Sequence, residues 1–507
     1  MWFCELRSKA SQLFKFIANT EPAMAASVVH ERVCAMISLH GNGEPWGHLN
    51  PETNQLTQLS EAIVQLESVH QPLDNVLQGI PQWALQESSN ESARRAQTRS
   101  SVHSSLSALA GIVVAWSPSD TWLRFRRATL LDALKHYWRH DPSTLAAGVD
   151  SLLLYLCAED NAPPPGGKKL SDDVVSLRKK SGVSLVSVAK RVPHLLVPWL
   201  GQLSDRARTL LGSEGLLPPN RMHLYEFLSC VATAVEDPIA RASFVSDVLS
   251  DALEKLDSAE VKDMVGSAEG LMAGVGIGRA ASDPASATEP EYVKETVLKY
   301  VNLFSAFNQL LSVGKRCHEA AKKRPGGGIP LWNVACGQMG AAARQNFPDE
   351  GPVTLNDLAV NDPFIPLWPR FLPTLIRTID VTLTLWHPEC QAVLLRNPIQ
   401  RYAVAISDDE AYLATKQDGK IGGVFGQGGT AGSIVSGWDR RDTNLAPKWS
   451  GWFNELRNTC FQLLGLLASQ RAIFAPELSG MIPELVSVVV NPAHLRSMEH
   501  RHFIQYL

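Results

Sequence analysis

The sequence predicts an all-α protein in which irregular helix pairs stack side by side as an α-solenoid superhelix. Three observations lead to this prediction. Apolar residues recur at helical spacing along most of the chain, the same helix-start motif opens several helices, and no long stretch shows the apolar–polar alternation of a half-buried strand. Helices that recur in pairs bury their apolar faces against their neighbours, as the units of a solenoid do.

Length and composition limit the classes of protein to which the chain can belong. Its 507 residues are 45% hydrophobic and 19% charged, which supplies enough apolar material for a buried core and excludes wholesale disorder. The formal net charge of −4 excludes proteins that are basic overall, such as histones. No apolar run approaches the roughly 18 residues that span a bilayer, so we expect no membrane insertion.

Three aspartate–proline pairs mark the starts of predicted helices, at Asp141-Pro142, Asp237-Pro238 and Asp362-Pro363. The aspartate carboxylate can accept hydrogen bonds from the free amides of the first turn, where proline loses no hydrogen bond. Each pair follows another helical pattern and therefore indicates a tight turn between two helices. The pairs recur 96 and 125 residues apart, which favours irregular HEAT/armadillo-like helix pairs over repeats of fixed period.

Three further segments carry a single apolar stripe at spacings of three and four residues, which predicts amphipathic helices. Each stripe can pack against a neighbouring helix of the stack. The stripes are Val297, Val301, Phe304, Phe307 and Leu311; Phe371, Leu375, Ile379, Leu383 and Trp386; and Phe453, Leu456, Cys460, Leu463 and Leu467.

Four stretches of polar or Gly/Pro-rich composition predict loops. They are residues 86–105, 162–173, 279–290 and 418–447, and the last of them contains eight glycines. The predicted organisation is therefore a HEAT-like array over residues 1–417, a flexible Gly-rich insertion over 418–447, and continuing HEAT-like helices over 448–507.

The Gly-rich stretch raises an enzyme hypothesis, which the surrounding sequence does not support. Gly426 to Ala431 matches the loose G-x-G-x-x-[GA] dinucleotide pattern, but no strand precedes it and no helix follows until about Trp449. The sequence also has no phosphate-binding loop, nucleophile elbow or zinc-protease motif. His387 and Cys390 have metal-ligand spacing without a second pair, and the wide spacing of the eight cysteines favours free thiols. We therefore predict no catalytic residue, no cofactor and no metal.

The distribution of charge provides one functional signal. Residues 90–210 contain 17 Lys and Arg against 10 Asp and Glu, whereas residues 211–300 contain 7 against 15. Such a basic stretch can bind a phosphate backbone, although an ordinary solvated helix face has a similar composition. The candidate RNA phosphate-binding residues, chosen by charge, are Arg124, Arg126, Arg127, Arg178, Lys179, Lys180, Lys190 and Arg191.

Four segments resemble, in this order, the later HEAT repeats of the exportin-5 family of β-karyopherins. They are Ala189 to Trp199; Leu224 to Ala234 with Arg241 to Leu249; Pro369 to Ile379; and Asn458 to Gly465 with Arg501 to Leu507. The resemblance runs from about Ser11 to Leu507 and corresponds to roughly the C-terminal half of such an exportin. It leaves the family's N-terminal, Ran-binding repeats without a counterpart, so we expect a fragment or an incomplete gene model.

The resemblance implies a nuclear export receptor that does no chemistry and shuttles between nucleus and cytoplasm. Its implied cargo is structured or double-stranded RNA, such as hairpin precursor microRNA or transfer RNA, with associated proteins. The implied partners are Ran-GTP, bound through the N-terminal repeats, and nucleoporins. In the family, basic side chains of the inner surface hold RNA phosphates, and recognition follows A-form shape. Three alternatives stay open: a karyopherin with protein or transfer RNA cargo, a HEAT scaffold without a nucleic-acid role, and an enzyme that uses the Gly-rich loop.

Overall fold

The structure, a computed structural model, describes residues 2–39, 49, 56–88, 91–159, 170–213, 216–324, 354–385, 387–394, 398–404 and 446–489. Within these ranges every secondary-structure element is a helix, apart from one isolated antiparallel bridge between Leu49 and Leu56. The prediction of an all-α, HEAT-like solenoid is confirmed. The contacts divide the chain into two compact units, an N-terminal unit of residues 1–234 and a C-terminal unit of residues 235–507.

The N-terminal unit consists of helix pairs arranged in two layers. One layer is the series α1, α3, α5, α7 and α10, in which each helix packs against the next. In the other layer, α2 packs against α4, and α4 contacts α6. Each inner helix of the first layer is therefore buried from both sides. The helices are α1 Trp2–Thr20, α2 Pro22–Leu39, α3 Glu61–Gly79, α4 Ala93–Ala115, α5 Thr121–Trp138, α6 Leu145–Leu156, α7 Asp172–Arg191, α8 Pro193–Leu196, α9 Leu200–Leu211 and α10 Pro218–Ala232.

The C-terminal unit is organised around one long helix, α15, which packs against α11 and α20. Helix α17 contacts the same two helices and also α22. The helices are α11 Pro238–Asp257, α12 Ala259–Met264, α13 Ala268–Gly274, α14 Ile277–Ser282, α15 Pro290–Ala321, α16 Leu355–Ala359, α17 Trp368–Thr384, α18 Pro388–Leu394, α19 Pro398–Ala403, α20 Ala446–Ser469, α21 Pro476–Ser479 and α22 Ile482–Val489.

Two of the aspartate–proline pairs cap a helix start as predicted, Asp237 at an α-helix and Asp141 at a 3₁₀ turn, and the third lies just before one. The Asp237 carboxylate accepts hydrogen bonds from two backbone amides of α11, each at 3.1 Å. Asp141 accepts from the amide of Ser143 and caps a 3₁₀ turn that leads into α6. Asp362 accepts from the amide of Phe364 in the bend before a 3₁₀ turn that begins at Ile365 and leads into α17. The 3₁₀ turn is a tighter coil that commonly precedes the first α-helical turn.

The described members of all three predicted apolar stripes lie on helices, within α15, α17 and α20, and Trp386 of the second stripe lies outside the described residues. The described members of the α17 and α20 stripes are buried. In α15 the buried surface is wider than predicted, because this helix packs on two sides. Tyr300, Leu303 and Leu310 are buried there, whereas Val297 and Val301 are only half-buried.

The prediction of a loop over residues 86–105 is wrong, because α4 begins at Ala93. The Ser92 hydroxyl caps this helix by accepting a hydrogen bond from the amide of Arg95 at 3.4 Å. The polar composition concealed an apolar stripe at helical spacing, of which Val102, Leu106, Leu109 and Val113 are buried.

The predicted loop over residues 279–290 is also wrong in part, because the end of α14, a 3₁₀ turn and the start of α15 occupy it. Two predicted loops fall mainly on residues outside the described ranges, namely 162–169 and 418–445. The described remainder of the first enters α7 at Asp172, and that of the second enters α20 at Ala446. The predicted boundaries near 417 and 447 stay predictions.

Candidate nucleic-acid interface

Arg127 lies inside the N-terminal unit, where its guanidinium joins three helices. It is 5% exposed and donates hydrogen bonds to the carbonyl oxygens of Val113 at 3.0 Å and Val114 at 2.5 Å, at the end of α4. It also donates to the Tyr155 hydroxyl at 2.6 Å and the Ser151 hydroxyl at 3.0 Å, both on α6. The last carbonyl oxygens of a helix have no hydrogen-bond donor within the helix, so Arg127 supplies donors to two of them at the end of α4. A guanidinium engaged in this way does not reach an external phosphate.

Arg126 is buried as well, at 7% exposed, and it pairs with Glu67 of α3 at 2.7 Å. Burial lowers the pKa of the Arg126 guanidinium, and the Glu67 carboxylate opposes that effect. Arg178 is 2% exposed and donates from Nε to the carbonyl oxygen of Ala158 at 2.7 Å. We therefore revise the predicted phosphate-binding set, because these two arginines and Arg127 are held in internal contacts.

Lys180 belongs to a mixed group of acidic and basic side chains between α3, α5 and α7. The Asp132 carboxylate accepts from Lys135 through Oδ1 and from Lys180 through Oδ2, each at 2.9 Å. Burial raises the pKa of Asp132, but the two ammonium groups outweigh it and hold the pKa below its usual value. We call this group the charge band; its members are Glu67, His70, Asp74, Arg126, Asp132, Lys135, His136 and Lys180.

The charge band carries little net charge at neutral pH. Its three carboxylates, of Glu67, Asp74 and Asp132, are matched in number by the basic side chains of Arg126, Lys135 and Lys180, and the His136 ring lies 3.4 Å from Asp74. Burial and the charge of Lys180 lower the pKa of His70 to about 4, so His70 is neutral. The band is therefore a poor attractor of a phosphate backbone as it stands.

Exposed positive charge collects instead at the ends of α5 and α7. Arg139, immediately after α5, and Arg191, the last residue of α7, are exposed, and neither forms an ion pair within the described ranges. Burial lowers the pKa of the intervening His140, and the neighbouring Arg139, His103 and Arg191 lower it further, which indicates a local positive potential. We call Arg139, His140 and Arg191 the basic corner.

Of the remaining candidates, only Lys190 adjoins the basic corner in sequence, whereas Lys179 lies in the first half of α7 and Arg124 in the first turn of α5. Lys179 and Lys190 of α7 are exposed, and Arg124 is half-buried and donates from Nε to the Pro118 carbonyl at 3.0 Å. Sequence reasoning missed Arg139 and His140 as site residues. A signal was available, because both lie at the end of the helical pattern that precedes Asp141-Pro142, and cations are favoured near helix C-termini.

The C-terminal unit offers a different kind of surface. An open cleft of about 270 Å³ lies between α11, α12 and α15. Its lining includes Asp251, Glu254 and Glu260, and Lys255 is its one basic member. Because like charges repel, this cleft disfavours a nucleic acid.

The described residues reveal no further chemistry. Nowhere in these ranges do three or more His, Cys, Asp or Glu side chains come together in a way that could hold a metal ion. None of the described helices is both long and apolar enough to cross a membrane.

Comparison with known proteins gives the family. No curated protein matches the chain. A family model described as the Exportin-5 family matches residues 1–507, which is the full length of the sequence. Exportins are transport receptors of the karyopherin type, and their helical-repeat architecture agrees with the stacked helix pairs found here. The chain belongs to the exportin-5 family.

Proposed function

We propose that this chain is a nuclear export receptor that binds structured RNA through the basic corner and the exposed lysines of α7. The observation that carries the proposal is the pair of exposed arginines, Arg139 and Arg191, in a member of the exportin-5 family. Arginine outside an ion pair is suited to phosphate oxygens, which it can bind in a bidentate manner. A contact of this kind recognises the backbone and the A-form shape of RNA more than its base sequence.

Family membership supports the rest of the proposed cycle. Ran-GTP and the RNA cargo each favour the same bound state of the receptor, and GTP hydrolysis on Ran releases both. Nucleoporins are the further partners, and the receptor shuttles between nucleus and cytoplasm. In this role the chain binds and carries but catalyses nothing.

RNA titration at several salt concentrations tests the proposal. The ligands are a short RNA hairpin with a 3′ overhang, a blunt RNA duplex and a DNA duplex, each with and without Ran-GTP. We expect the overhang hairpin to bind most tightly and its affinity to fall steeply with salt. Equal binding of RNA and DNA, or no binding, would favour a scaffold without a nucleic-acid role.

A pair of double variants locates the interface. Arg139→Gln/Arg191→Gln removes two arginines from the proposed interface, and we expect it to reduce the slope of log affinity against log salt by about 1–2. The matched control is Arg206→Gln/Arg208→Gln, which removes two arginines of α9 that pair with Asp150 and Asp205. Equal losses in the two double variants would contradict the proposed location.

A further inference from the structure

The starting point is the sharing of one carboxylate between two lysines on neighbouring helices. Lys135 of α5 and Lys180 of α7 each place an ammonium group 2.9 Å from a different oxygen of Asp132. The side chains of the three residues are 18%, 20% and 14% exposed, so the group reaches the surface. Two positive charges therefore share one directly bonded carboxylate within a charge band that carries little net charge as a whole.

The surroundings leave Asp132 as the carboxylate that restrains both lysines. Arg126 engages Glu67 at 2.7 Å, and Asp74 faces the His136 ring at 3.4 Å. His70 lies among these groups and is neutral near pH 7, because burial and Lys180 lower its pKa to about 4. Removing the charge of Asp132 would therefore leave both ammonium groups without a direct ion pair, and only Lys135 would still feel a second carboxylate, that of Asp74.

We propose that Asp132 restrains a phosphate-binding lysine pair, Lys135 and Lys180, and thereby limits the affinity of the N-terminal unit for an RNA backbone. The chemical argument is that a phosphate group, like a carboxylate, offers two anionic oxygens that a pair of ammonium groups can bind together. While Asp132 is charged it occupies the pair and repels an approaching phosphate. The RNA ligand in this inference rests on the proposed function, whereas the anion site itself does not.

The restraint has a functional consequence. Each phosphate neutralised by a lysine releases counterions and steepens the salt dependence of binding, by about 0.9 in the slope of log affinity against log salt. A receptor that must release its cargo benefits when a neighbouring carboxylate limits the binding of phosphate to its lysines. Asp132 is thus a residue that sets affinity through Lys135 and Lys180.

The test uses the full chain and the overhang hairpin, titrated between about 50 and 200 mM salt, the range over which phosphate contacts weaken markedly. For Asp132→Asn we expect affinity at the lower salt to rise by roughly fivefold or more, with a slope steeper by about 1–2. Adding Lys135→Gln and Lys180→Gln to that variant should return the affinity to the wild-type value or below. Asp150→Asn is the matched control, since it removes one carboxylate from a half-exposed pair with Arg206.

Two results would overturn the inference. One is an equal rise in affinity for Asp132→Asn and Asp150→Asn, which would mean that net charge alone matters. The other is a rise that persists in the variant without the two lysines. A thermal melt of each variant checks that it is folded.

A second probe separates this inference from the proposed function. Tripolyphosphate binding, measured by calorimetry, reports on the lysine pair without RNA. If wild-type protein binds no RNA but Asp132→Asn gains tripolyphosphate binding that depends on both lysines, the anion site stands and the RNA function fails. If RNA binds but neither ligand responds to Asp132→Asn, the RNA function stands and the inference fails.

Discussion

Replacement of Arg127 by methionine tests whether this buried arginine stabilises the packing of α4, α5 and α6. Its guanidinium donates to two carbonyls at the end of α4 and to two hydroxyls of α6, over 2.5–3.0 Å. Methionine fills a similar volume and forms none of these hydrogen bonds. The carbonyl of Val113 then stays buried, and that of Val114 part-buried, without this donor.

The magnitude follows from those lost partners. A buried polar group left unsatisfied costs about 1–3 kcal/mol, which applies in full to the Val113 carbonyl and in part to the less buried Val114 carbonyl. Relief of a buried, unpaired positive charge offsets part of this cost. We expect Arg127→Met to lower the free energy of unfolding of the N-terminal unit by about 2–4 kcal/mol. Arg127→Lys should lose a similar amount, because one ammonium cannot reproduce the planar fork of donors.

The assay must separate the two units, because one melting curve of the full chain mixes their unfolding. Hydrogen exchange of the backbone amides of α4, α5 and α6, followed as a function of urea, reports on the N-terminal unit alone. Arg206→Met is the control, since its half-exposed ion pair contributes at most about 1 kcal/mol. The reasoning is refuted if Arg127→Met and Arg206→Met lose equal stability, or if Arg127→Lys restores the wild-type value.

Three further predictions use the same exchange measurement. A Cβ at Gly182 would lie 2.3 Å from the His223 ring, so Gly182→Ala should lower the free energy of unfolding by about 1–3 kcal/mol. A Cβ at Gly111 would meet nothing within 4 Å, so Gly111→Ala should raise it by up to about 1 kcal/mol. Asp237→Ala removes the cap of α11 and should lower protection of that helix by about 1 kcal/mol; unchanged protection would contradict the capping role. The pKa of His70 is about 4 in the folded protein, below its unfolded value. The contribution of His70 to the free energy of unfolding is therefore complete above about pH 6.5, and about 2–3 kcal/mol of it is lost as the pH falls towards 4. The His70→Gln variant should show a smaller loss.

The sequence was sufficient for the fold class because apolar spacing and helix capping are local properties. The stripe of α20 and the cap at Asp237 are both confirmed from such signals. The loop prediction over residues 86–105 failed because it weighed polar composition over spacing. Ser, Arg and Gln on the exposed face of a stacked helix resemble a loop in composition, while Val102 and Leu106 already mark the buried face.

The candidate site was harder to predict, because burial of a charged side chain is a tertiary property. Arg127 follows Leu123 by four residues and precedes Leu130 by three, so it lies on the apolar stripe of α5. That spacing is a usable sign that Arg127 points inward. The pairing of Lys180 with Asp132 of another helix has no such local signature, since the two residues are 48 positions apart.

The same facts decide how much of the basic composition is available to a partner. The excess of Lys and Arg over residues 90–210 suggested a broad phosphate-binding face, yet the three most buried of the eight candidates hold helices together. In a stack of helix pairs, one arginine can donate hydrogen bonds to the last carbonyls of one helix and also to a side chain of another helix, as Arg127 does with α4 and α6. The available positive charge is therefore narrower than the composition indicates, and it lies where α5 and α7 end, at Arg139 and Arg191. An RNA bound there would depend on few contacts, so single substitutions at those contacts should have large effects on its salt dependence.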